Sequence, residues 1–276
     1  MKFTVVGASG FIGSALMKQL CATENHQVFV PEKNAAELFI QPLGHVIYAA
    51  GVTADFRRRP FDTLRAHVSL LAELLERAEF DSLLYLSSAR IYRHAEHTGE
   101  EAAIFLRSHD PEDYYDLTKL SGEALCFASM RKNVRAVRLS NVVGTDFRSS
   151  NFLFELIRAA CDHGHIELRS ALDSEKDYVL VEDVVRILPE IAMHGHEQCY
   201  NLATGCNLRH AAIVDAIKDA TGASFSVVLG APRHVVPQIN IQRLQAEFGF
   251  HADEVLPRIP ELVGEYRKYH DAKSRS

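Results

Sequence analysis

Short, largely apolar runs recur along the chain at Phe3–Val6, Gln27–Val30, His45–Ala49, Ser82–Leu86, Val134–Leu139 and Gln198–Leu202. Helical patterns lie between most of them, over Phe11–Leu20, Leu64–Ala78 and about Tyr114–Met130. Such runs are what a strand looks like when both of its faces are covered. Strands of this kind joined by helices form parallel sheets, because parallel neighbours need a long crossover and crossovers are right-handed. The pattern predicts an α/β fold with a doubly wound parallel sheet. It weakens after Gly144. There Asn151–His163, Val181–Met193 and Arg209–Ala220 read as helices, with Pro189 placed to kink the second. His165–Leu168 and Ser224–Leu229 read as strands, and Pro232, Pro237, Pro257 and Pro260 mark an irregular stretch. A small C-terminal α/β lobe is expected from these segments. The boundaries expected are 1–144 for the sheet domain, rejoined by about 177–203, with 145–276 mostly the lobe.

Composition narrows the function classes. Lys and Arg total 30 against 36 Asp and Glu, for a net charge of −6. This balance argues against a general binder of nucleic acid or anionic membrane, which needs positive charge. Five cysteines without a C-x-x-C spacing do not form a disulfide framework, so a cytoplasmic location is expected. The N-terminus does not read as a signal peptide, and no stretch reaches the roughly 20 apolar residues of a membrane span.

The first strand runs into Gly7-Ala8-Ser9-Gly10-Phe11-Ile12-Gly13, and a helix opens there. Glycines permit the tight turn and let the backbone approach a pyrophosphate, which then faces the free N–H groups of the helix N-terminus. The spacing is G-x-x-G-x-x-G, and its place between strand and helix is the context that gives it meaning. It makes the sheet a Rossmann sheet that holds a dinucleotide. Glu32 lies 19 residues after Gly13, where a carboxylate accepts bonds from both adenosine ribose hydroxyls and repels a 2′-phosphate. That favours NAD. Lys33, next to it, leaves NADP open.

Tyr115 and Lys119 have the spacing Y-x-x-x-K, which puts phenol and ammonium on one face of a helix. A lysine charge and a positive nicotinamide would lower a tyrosine pKa of about 10 toward neutrality, making Tyr115 an acid/base group. Tyr114 has Thr118 as its i+4 partner, so only Tyr115 has the pairing. Ser88 closes the strand before Arg90, 27 residues ahead of Tyr115, at the end where a parallel sheet binds ligands.

Together these residues resemble the extended short-chain dehydrogenase/reductase superfamily, and within it the NAD-dependent epimerase/dehydratase family. The resemblance also takes in Tyr48-Ala49-Ala50-Gly51, Ser87–Tyr92, Arg138–Gly144, Lys176–Val184 and Tyr200–Gly205. It implies a catalytic triad of Ser88, Tyr115 and Lys119. Around the cofactor it places Gly7, Ser9, Gly10, Phe11, Ile12, Gly13, Glu32, Lys33, Ala49, Ala50 and Gly51 with Tyr115 and Lys119. Around the diphosphate or sugar of a nucleotide-sugar substrate it places Ser88, Arg90, Asn141, Lys176 and Arg233. It implies a homodimer and no metal.

The departures are informative. Lys176 replaces an expected Arg, keeping the charge and losing the bidentate fork. His67 stands where an Asn is usual. Ser88-Ala89-Arg90 lacks the acid pair of the family's 4,6-dehydratases, which disfavours dehydration. The segment between Val30 and His45 is too short for the usual extra strand. The expected activity is a nucleotide-sugar 4-epimerase or 4-keto reductase. Two alternatives stay open: the same chemistry on a non-nucleotide carbonyl or alcohol, and a non-catalytic NAD(P)-binding sensor. His163, His165, His194 and His196 form pairs without a third ligand, and Arg57-Arg58-Arg59 reads as a solvated turn.

Overall fold

The computed structural model describes residues 1–32, 36–147, 149 and 151–274. From the N-terminus run β1 (Lys2–Val6), α1 (Phe11–Ala22), β2 (Gln27–Phe29), β3 (His45–Tyr48), α2 (Pro60–Leu64), α3 (Leu70–Arg77), β4 (Ser82–Ser88), α4 (Tyr114–Ala128), β5 (Val134–Leu139), β6 (Asn141–Val143) and α5 (Phe152–His163). The chain continues through β7 (His165–Leu168), β8 (Glu175–Leu180), α6 (Val181–His194), β9 (Cys199–Leu202), β10 (Asn207–Arg209), α7 (His210–Thr221), β11 (Ser224–Val227), α8 (Gln242–Phe248) and α9 (Ile259–Ser274). It divides into two compact units. The first takes Met1–Ser140, Val181–Leu202 and Asn240–Phe250, and the second takes Asn141–Leu180, Ala203–Ile239 and His251–Ser276.

The first unit is built on a parallel sheet of six strands in the order β2-β1-β3-β4-β5-β9. Alternation along each strand sorts the apolar side chains to two faces. Val6, Val46, Tyr48, Leu83, Tyr85, Val134 and Ala136 meet Leu71, Leu74 and Leu75 of α3 and Cys126 of α4. Val5, Ile47 and Leu84, of the opposite parity, are fully buried as well. On that face α1 and α6 pack together, and α6 lies on β3 and β4. Each fully buried aliphatic side chain contributes about 1.5–3 kcal/mol, so two covered faces are the main source of this unit's stability. The two arginines that interrupt β5 do not contradict its burial. Arg138 forms a buried pair with Glu123 of α4 at 2.7 Å and donates to the Tyr92 hydroxyl at 2.6 Å. Strand order reverses between β1 and β3, and a doubly wound sheet opens its ligand crevice at such a point.

In the second unit β8 lies between β10, antiparallel, and β6, parallel, while β7 and β11 form a separate parallel pair. Its core gathers Leu153, Phe154 and Ile157 of α5, Ile213 and Val214 of α7, and Ile259 and Leu262 of α9.

Several expectations change. The return to the sheet begins at Val181, because β8 pairs with β6 and β10 of the second unit. Residues 240–250, including α8, also belong to the first unit. The helix read from Leu64 starts at Pro60 and contains a π turn at Arg65–Ser69. The stretch around Pro257 and Pro260 opens α9, since proline suits the first positions of a helix, where its missing N–H has no intrahelical acceptor. Pro189 lies inside α6, which continues to His194. Between β2 and β3 the described residues form a short 3-10 turn at Ala36–Phe39. Among the described residues, no helix is long and apolar enough to cross a membrane.

Candidate active site

The turn after β1 is shaped by two glycines that the protein itself requires. Gly7 has φ +91°, and a Cβ there would lie 2.5 Å from the Ala50 amide nitrogen. A Cβ on Gly13 would lie 2.2 Å from the Gly7 carbonyl oxygen. Gly10 is different: a Cβ there would meet only that same oxygen, at 3.3 Å. A methyl at Gly10 would be tight against one backbone oxygen, a smaller conflict than at Gly7 or Gly13. Gly10 N-caps α1 without a side-chain bond, and the first turn carries no acidic residue. No side-chain cap or acidic group of the first turn therefore offsets the positive end of the helix dipole. Ser9 is exposed, with Phe11 and Ile12 half-buried. Ala49 at the end of β3 donates its amide to the Val6 carbonyl at 2.8 Å, which joins Ala49–Gly51 to the glycine turn. This cradle fits a dinucleotide. Glu32 is exposed just beyond β2, and Lys33 lies outside the described residues.

Ser88, Tyr115 and Lys119 come together in the same unit. Tyr115 and Lys119 are buried on α4, one turn apart, and Ser88 ends β4. Tyr114 is turned away and donates its hydroxyl to the Pro60 carbonyl at 2.7 Å. The Ser88 oxygen accepts the Arg90 amide at 3.2 Å, and the Ser88 side chain favours the ionised form of Tyr115. Lys119 Nζ donates to the Leu86 carbonyl at 2.8 Å. Burial pulls the Lys119 ammonium down to about 7, with the Glu123 charge opposing. Burial pushes the Tyr115 phenol up to about 12, and the charge of Asp116 adds to this. The Ser88 side chain and the Arg90 charge pull the other way and are outweighed. In the free protein Tyr115 rests protonated.

Walls around the phenol come from Phe56, which the sequence reading did not single out, and from His67, which it noted only as a departure. Phe56 packs on Tyr115 at 5.5 Å between ring centroids, and His67 meets it edge-on at 5.3 Å. Arg57, read as part of a solvated turn, pairs with Glu112. Arg90 lies over both the Phe56 and Tyr115 rings and pairs with Asp116 and Glu112 at 3.3 and 3.4 Å. Its charge thus braces the site from within. Burial raises Asp116 to about 6, against the pull of Arg90 and Arg93. Spacing along the sequence gives no sign of Phe56, since its contact with Tyr115 is made only by the fold.

The other expected substrate residues lie in the second unit. Asn141 begins β6 and donates its amide to the Asp177 carbonyl at 2.8 Å. Lys176 lies in β8, with its Nζ 5.8 Å from the centre of the Phe152 ring. Arg233 pairs with Asp173 at 2.8 Å, on a segment that runs beside β8 through the bond from Glu175 to the His234 carbonyl. His210 stacks on Phe152 at 4.1 Å and bonds Ser170 at 2.8 Å. Burial, together with the nearby charges of Lys176 and His234, lowers His210 to about 4. Lys176 and Arg233 are thus the unit's positive groups at the positions expected for a diphosphate, while His210 is held in its neutral form. Among the described residues, no group of three or more His, Cys, Asp and Glu side chains is placed to hold a metal ion.

Known structures share this fold. MoeE5 in complex with UDP-glucose and NAD matches with a TM-score of 0.78 at 23% identity, covering 98% of this chain and 99% of that one. RMD from Pseudomonas aeruginosa complexed with NADPH matches with a TM-score of 0.80 at 21% identity, over 97% and 100%. The UDP-glucose 4-epimerase of Thermotoga maritima, with UDP-glucose, matches with a TM-score of 0.80 at 18% identity, over 98% and 99%. No curated protein matches the chain. The family description "NAD dependent epimerase/dehydratase family" matches residues 3–203, a span that holds the glycine turn and Ser88, Tyr115 and Lys119. With that span running from β1 through β9, the chain belongs to the NAD-dependent epimerase/dehydratase family.

Proposed function

We propose that the protein is an NAD-dependent oxidoreductase of a nucleotide sugar, of the 4-epimerase or 4-keto-reductase type. The observation that carries this reading is that Ser88, Tyr115 and Lys119 lie in the unit that also holds the glycine cradle, with Tyr115 and Lys119 one turn apart on α4. Gly7, Ser9, Gly10, Phe11, Ile12 and Gly13 would hold the pyrophosphate side of the cofactor, Glu32 the adenosine ribose, and Ala49–Gly51 the stretch beyond. When bound, the dinucleotide supplies the two-electron redox couple at the sugar carbon. Tyr115 holds its proton at neutral pH, the form that donates to a carbonyl oxygen. Ser88, at the end of β4, orients that oxygen with its hydroxyl. Lys119, fixed on the Leu86 carbonyl, is moved by burial toward its neutral form. Lys176 and Arg233 supply the positive surroundings for a diphosphate, within a chain of net charge −6. NAD is favoured over NADP because exposed Glu32 repels a 2′-phosphate.

The experiment combines a mutation with a nucleotide screen. Tyr115→Phe removes the proton donor and is expected to lower turnover about 10²–10⁴-fold while dinucleotide affinity stays near wild type. Unchanged turnover rejects Tyr115 as the acid/base. UDP, GDP, CDP and dTDP are then compared by thermal shift, where a selective rise is expected from one of them. No rise with any of the four moves the substrate to a non-nucleotide carbonyl or alcohol.

A further inference from the structure

His67 is fully buried, and both of its ring nitrogens are engaged. Thr118 Oγ1 donates its single hydrogen to the Tyr115 carbonyl at 2.9 Å. In the 2.9 Å contact between Thr118 Oγ1 and His67 Nδ1, the hydroxyl must therefore accept and Nδ1 must carry the proton. That leaves Nε2 as a bare acceptor, and it receives the Val52 amide at 3.3 Å. Burial drives the ring pKa down to about 2, and the Lys119 charge adds to this, so the neutral form that this bonding needs is the form present.

The ring spans two parts of the site. Nδ1 is tied to the first turn of α4, between Tyr115 and Lys119. Nε2 is tied to the loop that follows Ala49-Ala50-Gly51. Gly51 is pinned between them: a Cβ there would lie 3.1 Å from His67 Nε2 and 3.5 Å from Lys119 Nζ. His67 itself is carried by the π turn Arg65–Ser69, a local irregularity of the kind that recurs at functional sites.

We infer that His67 is a positioning residue, whose neutral Nδ1–H tautomer fixes the Gly51–Val52 turn against the Tyr115 helix and so holds the dinucleotide cradle in its binding shape. The inference rests on reading Gly7–Gly13 and Ala49–Gly51 as the dinucleotide site, and not on the identity of the sugar. Without the acceptor, the Val52 amide must find water or move, and the binding-competent loop becomes a fraction of the population. Apparent affinity falls by that fraction.

Three variants separate the two nitrogens. In His67→Gln the terminal amide oxygen falls near the place of Nε2 and can accept the Val52 amide. In His67→Asn the terminal amide nitrogen falls near Nδ1 and can donate to Thr118, but nothing reaches Val52. His67→Phe keeps a ring against Tyr115 and offers neither bond. NAD affinity is measured by titration, Val52 amide exchange by hydrogen–deuterium exchange, and folding by thermal melting. Gln is expected to bind NAD near the wild-type level, while Asn and Phe bind about tenfold more weakly, the order of loss for a buried amide left without a partner. Val52 exchange should accelerate in Asn and Phe and stay protected in Gln. A role in core filling alone predicts a different order, with affinity following the melting temperature. Equal affinity in all three, a Gln variant as weak as Asn, or Val52 exchange unmoved by Asn overturns the inference. A wild type that binds neither NAD nor NADP removes the dinucleotide reading, and the inference with it. Wild-type binding that Asn leaves intact removes the inference alone.

Discussion

Single residues in this site are governed by burial before charge. Tyr115 and Lys119 have the spacing in which an ammonium favours a phenolate, yet burial moves each toward its neutral form. The sequence shows the spacing and says nothing of the Phe56 and His67 rings that close over the phenol. For the same reason the unusual His at position 67 was legible as a departure, while its bonds to Thr118 and Val52 were not. Its burial has a consequence for stability. The pKa of His67 is lowered from 6.5 unfolded to about 2 folded, so below pH 6.5 the unfolded chain binds the extra proton first. The stabilisation is complete above 6.5 and is lost as pH falls, by about 1.4 kcal/mol per pH unit for one proton. Urea unfolding of wild type and His67→Gln should therefore converge by about 2 kcal/mol between pH 7 and pH 5. His210, lowered to about 4 in the second unit, adds its own slope and is common to both proteins. A stability difference that stays constant with pH refutes the buried neutral imidazole.

At the scale of elements, the turn between β1 and α1 crowds Gly7 and Gly13 far more than Gly10. Gly13→Ala drives a methyl into the Gly7 carbonyl and the Ala8 backbone, at 2.2 and 2.8 Å, where no flexible side chain can yield. It is expected to cost about 1–3 kcal/mol of stability or more, measured by urea unfolding. Gly10→Ala meets one atom at 3.3 Å and should leave stability within about 1 kcal/mol of wild type. Its methyl occupies the approach to the helix N-terminus, so NAD affinity should fall more than tenfold in a titration. A Gly10→Ala protein that binds like wild type would show that the pyrophosphate does not pass there. The parallel strands β1, β3 and β4 were legible because their runs are apolar on both faces. β8 was not, because it opens Glu175-Lys176-Asp177, and β6 and β10 are three residues each. The start of α9 was hidden by its own prolines. The motif around Arg138 was legible as a pattern, but its physical content lies in a buried tie from β5 to α4 and Tyr92, made by residues 15 and 46 positions away.

Taken whole, the molecule is two units threaded by one chain, which passes between them after Ser140, Leu180, Leu202, Ile239 and Phe250. Neither unit is a continuous segment, so a boundary near residue 144 divides the sequence without dividing the fold. A fragment of residues 1–144 keeps β1 to β5 and loses both β9 and α6. β5 would then expose the edge that pairs Ala136–Leu139 with Cys199–Leu202. The sheet face under α6 would lose Val184, Leu188 and Ile191, all fully buried in the intact chain. Tyr92, still holding Arg138, would lose the Asn201 oxygen that accepts its hydroxyl at 2.9 Å. An open strand edge and an uncovered apolar face favour aggregation over folding. The fragment is expected to show no cooperative thermal transition by circular dichroism and to gain no stability from NAD, whereas the full chain melts cooperatively and is stabilised by about 2.7 kcal/mol at NAD one hundred times its Kd. A fragment that melts cooperatively and is stabilised by NAD would show that the first five strands suffice, and that the returning segments belong to the substrate side of the molecule.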